Sequence, residues 1–315
     1  MIMRPLLKIT GLGKTFGSAH APVRALTDIA LEVHTGDTLG IVGESSCGKT
    51  TLARCALRLL EPESGTVEFD RIDLLRLPRE ELRHKRREFQ IVFQDAAASL
   101  DPRMTVSQIL CEPYDAHGLG TRKERKAWAG ELLDLVALDR SLAGQIPGRL
   151  SGGQQQRVGV ARALALKPRL LIADEPVSAL DASVQAQILN LLADLQRWLG
   201  LTLILISYFF AVVRYLCNRV VVMYCGRIVE EAAADVFFHE PRHPYSRMLL
   251  ASTPGLSLES AAPGASLGDL PSPSNLPPGC AFHPRCPEAF GKCRSDTPVA
   301  LSTGEGSRVA CFLYT

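Results

Sequence analysis

Short apolar runs broken by Gly and Asp turns fill residues 6 to 42, as LLKIT, ALTDIALEV and DTLGIV, and predict an antiparallel strand region leading into a buried strand at Thr38–Val42. The stretch GESSCGKTTLARCALRLL follows at once and reads as a glycine-rich turn that opens a helix. Between 66 and 94, TVEFD and FQIVFQ read as two further strands separated by a charged helical stretch. From about Leu100 to Ala165 the apolar spacing becomes helical, as in WAGELLDLVALD, with Pro113 and Pro147 expected as breaks. LLIADE at 170–175 is again a buried strand, followed by a helix over 183–199, the strand LTLILI, and RVVVMYCGRIVEE as a closing hairpin. Strands alternating with helices predict an α/β fold with a mainly parallel sheet core and helices on both faces. An N-terminal antiparallel β region precedes this core, and a helical subdomain at about 95–165 interrupts it.

After Pro254 the pattern changes. Residues 255–279, GLSLESAAPGASLGDLPSPSNLPPG, read as a Pro/Gly/Ser-rich linker between a domain at 1–254 and a cysteine-rich appendage at 280–315. The longest apolar stretch, Trp198–Val213, falls short of the ~20 residues that span a bilayer, and Gly200 and Ser207 divide it into strand and helix. A length of 315 residues suits one large domain with an appendage, and 46% hydrophobic with 22% charged residues excludes general disorder. With 35 Lys and Arg against 33 Asp and Glu, the net charge of +2 lacks the basic excess of a nucleic-acid binder, so no nucleic-acid partner is expected. The basic run RHKRR at 83–87 accordingly reads as a solvated helix face. MIMRPLLKITG holds no apolar core long enough for a signal peptide. The expectation is a chain in the reducing cytosol, its nine cysteines serving as thiols or metal ligands rather than disulfides.

Residues 43–50, GESSCGKT, fit the pattern G-x-x-x-x-G-K-[ST] after a strand and at a helix start, the context of a phosphate-binding P-loop. The backbone N–H groups of Gly43, Glu44, Ser45, Ser46, Cys47 and Gly48 and the positive helix end can wrap a phosphate chain. Lys49 can reach the β and γ phosphates, and the hydroxyl of Thr50, followed by Thr51, can coordinate Mg2+. LLIADE supplies Asp174 to hold that Mg2+ and Glu175 to orient or deprotonate the attacking water. In LSGGQQQR at 150–157, Ser151, Gly152, Gly153 and Gln154 open a second helix whose hydroxyl and N–H groups suit an anion. Together these motifs resemble the ATP-binding cassette family over roughly residues 6 to 254. The order also matches, from the P-loop (Walker A) through Gln94 in VFQD as the Q-loop, the signature, and Walker B, to SALD at 178–181 as the D-loop. The resemblance implies the P-loop NTPase cassette fold, ATP and Mg2+ as cofactors with Gln94 on the metal side, and a cassette dimer. In that dimer each signature completes the ATP site of a second ATPase subunit, identical or different. Phe16, in KTF, matches the aromatic that stacks on adenine, and an ordinary core aromatic is the plainer reading.

Two positions depart from that family. Ser46 stands where Gly is usual, and if the backbone there needs a positive φ, Ser costs about 1 kcal/mol or more. After LILIS the family has a His, usually followed by Asp, whereas this chain has Tyr208 and Phe209. Tyr presents no imidazole to a γ phosphate, so a weakened hydrolytic site is expected unless the hydroxyl suffices. In the tail, Cys280, Cys286, Cys293 and Cys311 give C-x5-C-x6-C-x17-C, enough thiolates for Zn or a 4Fe-4S cluster, with spare thiols as the plainer alternative. His283 reads as part of a turn, and His239 and His243, around Pro241, as a solvated loop. With HEPRHPYSRMLLASTP at 239–254, the tail resembles the ATPases of dipeptide and oligopeptide importers, some of which carry 4Fe-4S there. That resemblance implies an ATP-hydrolysing subunit powering peptide import, peripheral on the cytoplasmic face of the inner membrane. It implies two transmembrane permease subunits, contacted near Asp95–Pro102, and an extracytoplasmic solute-binding protein met only indirectly. Nickel or another small solute is the alternative cargo. Alternative classes are a regulatory cassette without turnover and a soluble cassette ATPase of DNA repair or translation, the last disfavoured by the single P-loop.

Overall fold

In a computed structural model, which describes residues 4–18, 22–178, 180–253, 271–272, 274–304 and 306–315, the chain divides into two units. One comprises Met1–Arg76 with Ile206–Thr315, the other Leu77–Leu205. Of the linker expected at 255–279, residues 255–270 and 273 lie outside the described residues.

Alternation builds the start of the first unit. Strand β1 (Pro5–Phe16) pairs antiparallel with β2 (Val23–His34). It pairs likewise with β4 (Ser64–Phe69), to which β5 (Ile72–Asp73) adds, giving the order β2-β1-β4-β5. Alternate residues face inward, so Leu7, Ile9, Ile29, Leu31, Val67 and Phe69 are buried, and a register shift between Ile9 and Leu12 turns Leu12 inward as well. Strand β3 (Thr38–Val42) is buried at every position, which is why its sequence is a continuous apolar run rather than an alternating one. Helix α1 (Lys49–Ala56) then starts at Gly48 with no side chain capping its first N–H groups.

The second unit holds α2 (Arg79–Lys85), β6 (Phe89–Val92), α3 (Ala96–Ser99), α4 (Val106–Ala116) and α5 (Arg122–Leu135). It continues with α6 (Gly152–Leu164), β7 (Leu170–Asp174), α7 (Ala182–Leu199) and all but the last residue of β8 (Thr202–Ile206). Strands β6 and β7 pair parallel, and β7 and β8 are buried throughout. Reciprocal capping boxes start three helices, Thr105 with Gln108, Thr121 with Glu124, and Ser151 with Gln154. Pro113, expected as a break, instead lies inside α4. It sits so near the C-terminal end that it removes a single late hydrogen bond, while buried Val106, Ile109 and Leu110 hold the preceding turns. Pro147 does interrupt the chain, opening the 3-10 turn Pro147–Arg149. The RHKRR run is solvated only at Arg83 and His84. Arg83 donates to the Ala116 carbonyl at 2.7 Å and Arg87 to that of His117 at 3.2 Å, so cations of the run satisfy carbonyls left open at the end of α4. Helix α7 stops at Gly200, φ 61°. Among the described residues no helix is long and apolar enough to cross a membrane.

The chain returns to the first unit with α8 (Phe210–Leu216), β9 (Arg219–Tyr224), β10 (Arg227–Ala233), α9 (Ala234–His239) and α10 (Pro244–Ala251). The predicted hairpin is β9 and β10, turned at Cys225 and Gly226, and β9 runs parallel to β3. The tail contributes α11 (Gly291–Ser295), β11 (Leu301–Ser302) and β12 (Arg308–Val309). Because β12 pairs with β10, this part of the sheet reads β11-β12-β10-β9-β3, and the tail is built into the unit. Phe282, 1% exposed, anchors it between Tyr224 and Tyr245, with ring centroids 5.3 Å from each. His239 is exposed as expected, but His243 is buried, because its Nδ1 accepts the Tyr245 N–H at 3.0 Å and caps α10. Buried Glu230 accepts the N–H groups of Arg242 and His243 at 2.7 and 2.9 Å, supplying the polar partners that a solvated loop would have found in water.

Candidate nucleotide site

The loop between β3 and α1 depends on two glycines. Gly43 has φ 149° and Gly48 φ 107°, and a Cβ at either would lie 2.3 Å from the Met223 carbonyl oxygen or 2.4 Å from that of Ala25. Ser46 also takes a positive φ, 62°, so the position usually held by Gly is strained here by about 1 kcal/mol. Ser45 and Ser46 are exposed, whereas Cys47 is buried and burial pushes its thiol up. The start of α1, where the N-cap Gly48 offers no side chain, is the positive end of a helix, with Thr50 and Thr51 in its first turn. Lys49 is 3% exposed and donates to the carbonyls of Gly43 at 2.8 Å and Glu44 at 2.9 Å, curling the loop around its ammonium group. A buried ammonium beside a helix N-terminus has the chemistry to take an anion of high charge.

Tyr208 comes to the same loop from the end of LILIS. Its ring centroid lies 4.0 Å from the Lys49 ammonium, a cation–π contact, and its hydroxyl donates to Ser45 Oγ at 3.5 Å. Phe16 lies at the end of β1 and is 41% exposed, so the plainer reading of a core aromatic does not hold. Two residues that sequence reasoning missed also reach the loop. Tyr245 accepts the Glu44 N–H at 2.9 Å, and Arg285 of the tail holds the Glu44 carboxylate with two bonds of 2.8 Å. They stand 201 and 241 residues away in the chain, and no local signal pairs them with Glu44.

In the other unit, Asp174 and Glu175 are buried at the end of β7. Glu175 takes φ 48°, a strained conformation for a non-glycine residue. Gln94 donates to Glu175 Oε2 at 2.6 Å, so the Q-loop and the acidic strand end meet. Ser151 caps α6, its hydroxyl oxygen accepting the Gln154 N–H at 3.3 Å, while Gln154 Oε1 accepts that of Ser151 at 2.9 Å. The Ser151 hydroxyl keeps its proton to donate, and the N–H groups of Gly152 and Gly153 head the helix. Asp181 precedes α7; Ala179 of SALD lies outside the described residues.

Cys280, Cys286, Cys293 and Cys311 line one small cavity beside His243 and Phe282. Burial raises the Cys280, Cys286 and Cys311 thiols, Cys286 to about 11, and neighbouring thiols of the set add to the rise. The donor set has the chemistry of a four-thiolate centre. As the side chains stand, no group of three or more His, Cys, Asp or Glu among the described residues is gathered to hold a metal ion. His283 Nδ1 donates to the Cys280 carbonyl at 3.0 Å within the turn His283–Arg285, as a turn residue would.

Residues 26–178 match the ABC transporter family, and residues 229–293 match the oligopeptide/dipeptide transporter C-terminal region. The oligopeptide transport ATP-binding protein AppF of Bacillus subtilis is 44% identical over 297 residues, covering 93% of this chain and 90% of AppF. The chain belongs to the ABC transporter family. This cassette is also 48% identical over 316 residues to y4tS of Sinorhizobium fredii, named a probable peptide ABC transporter ATP-binding protein, covering 98% and 90% of the two chains. Among solved structures, the dimeric post-hydrolysis state of the ATP-binding cassette MJ0796 with ADP and Pi is 31% identical, with TM-score 0.67, over 72% of this chain and 98% of that one. The cassette cbiO1 of Clostridium perfringens is 28% identical, with TM-score 0.66, over 75% and 92%. The α/β P-loop cassette fold expected from the motifs is therefore the fold of this subunit, and it is an ABC-type ATPase.

Proposed function

We propose that the chain is the ATP-hydrolysing subunit of a di- or oligopeptide importer. It works as one of two paired cassettes on two transmembrane permease subunits, at the cytoplasmic face of the inner membrane, and meets a solute-binding protein only through the permeases. The observation that carries this reading is the match of residues 229–293 to the oligopeptide/dipeptide transporter C-terminal region, because the cassette alone does not contact cargo. The reading takes residues 1–254 as the nucleotide-binding domain, with its helical part at about 95–165, and 280–315 as the appended tail.

In this reading the N–H groups of the loop 43–48 wrap the phosphates, save that of Glu44, which Tyr245 holds, and Lys49 exchanges its carbonyl partners, Gly43 and Glu44, for phosphate oxygens. Thr50, Asp174 and Gln94 are oxygen donors suited to Mg2+, which neutralises phosphate charge. Glu175 orients and deprotonates water once its carboxylate leaves Gln94. Phe16, already exposed, stacks on adenine. Ser151, Gly152, Gly153 and Gln154 serve the ATP held by the partner cassette. Gln94, Asp95, Ala97 and Ala98 are exposed and support permease contact along Asp95–Pro102. In the tail, the four cysteines around one cavity support an iron–sulfur or zinc centre whose role is to staple a segment poor in apolar residues. Metal analysis and visible absorption of chain purified without oxygen separate iron–sulfur, zinc and free thiols.

Uptake of a labelled dipeptide by cells lacking this chain tests the reading. Uptake is expected to fail and to return with the natural chain but not with Lys49→Ala. Unchanged peptide uptake with lost nickel uptake would reassign the cargo. A second reading, a cassette that binds ATP with little turnover of its own, is favoured by Tyr208 lying against Lys49. ATP turnover by the complex pulled down from membranes, with Glu175→Gln in this subunit alone, decides between them. A fall to background places hydrolysis at this chain's own site, and persistence places it at the partner's.

A further inference from the structure

Glu44 places a carboxylate within the loop proposed to wrap the phosphates of ATP. A like charge there opposes a bound polyanion unless it is neutralised. Its neutralisation comes from the tail. Arg285 Nη1 and Nη2 donate to Glu44 Oε2 and Oε1, each at 2.8 Å, in a two-pronged pair whose side chains are 6% and 17% exposed. The guanidinium is itself held in place, donating to the Tyr224 hydroxyl at 3.3 Å and lying 5.7 Å from the centre of that ring. Arg285 ends the turn His283–Arg285, directly after Phe282, which is clamped between Tyr224 and Tyr245. Tyr245 accepts the Glu44 N–H, and the Glu44 carbonyl accepts Lys49 Nζ at 2.9 Å. Glu44 is therefore held at its N–H, its carboxylate and its carbonyl, and two of those three holds come from segments C-terminal to the closing hairpin.

We infer that Arg285 is a positioning residue for nucleotide binding, carried on the C-terminal tail, which neutralises Glu44 and sets the loop that presents Lys49 to the phosphates. The inference rests on the reading of residues 43–50 as the ATP loop. The tail thereby becomes part of the nucleotide site, and its folding is coupled to ATP affinity.

The test is titration of the full chain with trinitrophenyl-ATP and Mg2+, for Arg285→Gln in the natural background and in a Glu44→Gln background. In the natural background the dissociation constant is expected to rise about tenfold, the scale of a lost charge-assisted pair. In the Glu44→Gln background, where no carboxylate is left to neutralise, the rise is expected to shrink to less than about threefold. Arg285→Lys, which keeps charge without the fork, recovers part of the affinity. In the assembled transporter the same Arg285→Gln change raises the KM for ATP and leaves kcat within about twofold, as a purely binding defect does. Equal losses in the two backgrounds, in variants whose thermal unfolding midpoint matches that of the natural chain, would overturn the inference. Natural-chain binding that Arg285→Gln leaves unchanged overturns the inference alone. No binding by the natural chain overturns the reading of the loop and this inference with it.

Discussion

Tyr208 sets its ring against the Lys49 ammonium, where the phosphates of ATP would compete for the same cation. Tyr208→His removes that competition and restores an imidazole, and ATP turnover of the assembled transporter is expected to rise at least about tenfold. Unaltered turnover would mean that the phenol already suffices. Ser46, with φ 62°, makes a second residue-scale prediction, since Ser46→Gly relieves the strained backbone and should add about 1 kcal/mol in urea unfolding. A third concerns His243, whose imidazole is held down to about 3 by burial, with Arg247 adding to the effect. An unfolded His takes its proton below about 6.5, while this one stays neutral in the fold. Stability is therefore full above about pH 6.5 and falls as pH drops from there toward 3, by up to about 1.4 kcal/mol per pH unit. His243→Asn keeps an acceptor for the Tyr245 N–H and should flatten that slope in urea midpoints measured between neutral and mildly acid pH.

At the scale of elements, the hairpin of β9 and β10 and the buried strands β3, β7 and β8 were legible because each is a contiguous run whose apolar content and turn residues set its form locally. The tail was not. Residues 280–315 look too poor in apolar groups to pack, yet β12 adds to β10 and Phe282 fills a pocket made by residues of β9 and α10. Phe282→Ala should cost about 3–5 kcal/mol, the scale for truncating a buried aromatic. The same change should raise hydrogen exchange at the β12 partners Glu230 and Glu231. Exchange there as slow as in the natural chain would show that β12 holds without its anchor. Pro113 makes the converse point, since a residue that breaks helix interiors is carried near the end of α4 at little cost.

For the whole molecule, the chemistry is divided along the chain. The unit built from both ends of the sequence carries the P-loop, Tyr208 and Arg285, while the middle unit carries Gln94, the signature, Asp174 and Glu175. In the assembled transporter Glu175→Gln removes the group proposed to deprotonate water while sparing the phosphate cradle. Labelled ATP should then stay with the complex through gel filtration, and release as fast as from the natural complex would count against that role for Glu175.

The sequence by itself determined the cassette fold, the order of its motifs and the glycine-rich turn between β3 and α1, because each resides in a short contiguous stretch. Spacing alone singled out Gly43, Gly48 and Lys49, and Ser46 could be marked as a site of strain. Only the tertiary structure decided that His243 is buried, that Tyr208 lies on Lys49, and that Arg285 reaches Glu44 across 241 residues. Burial and charge pairing depend on which distant segments the sheet and the aromatic cluster bring together. A linear pattern carries no term for that meeting, so these contacts emerge only when the chain has folded.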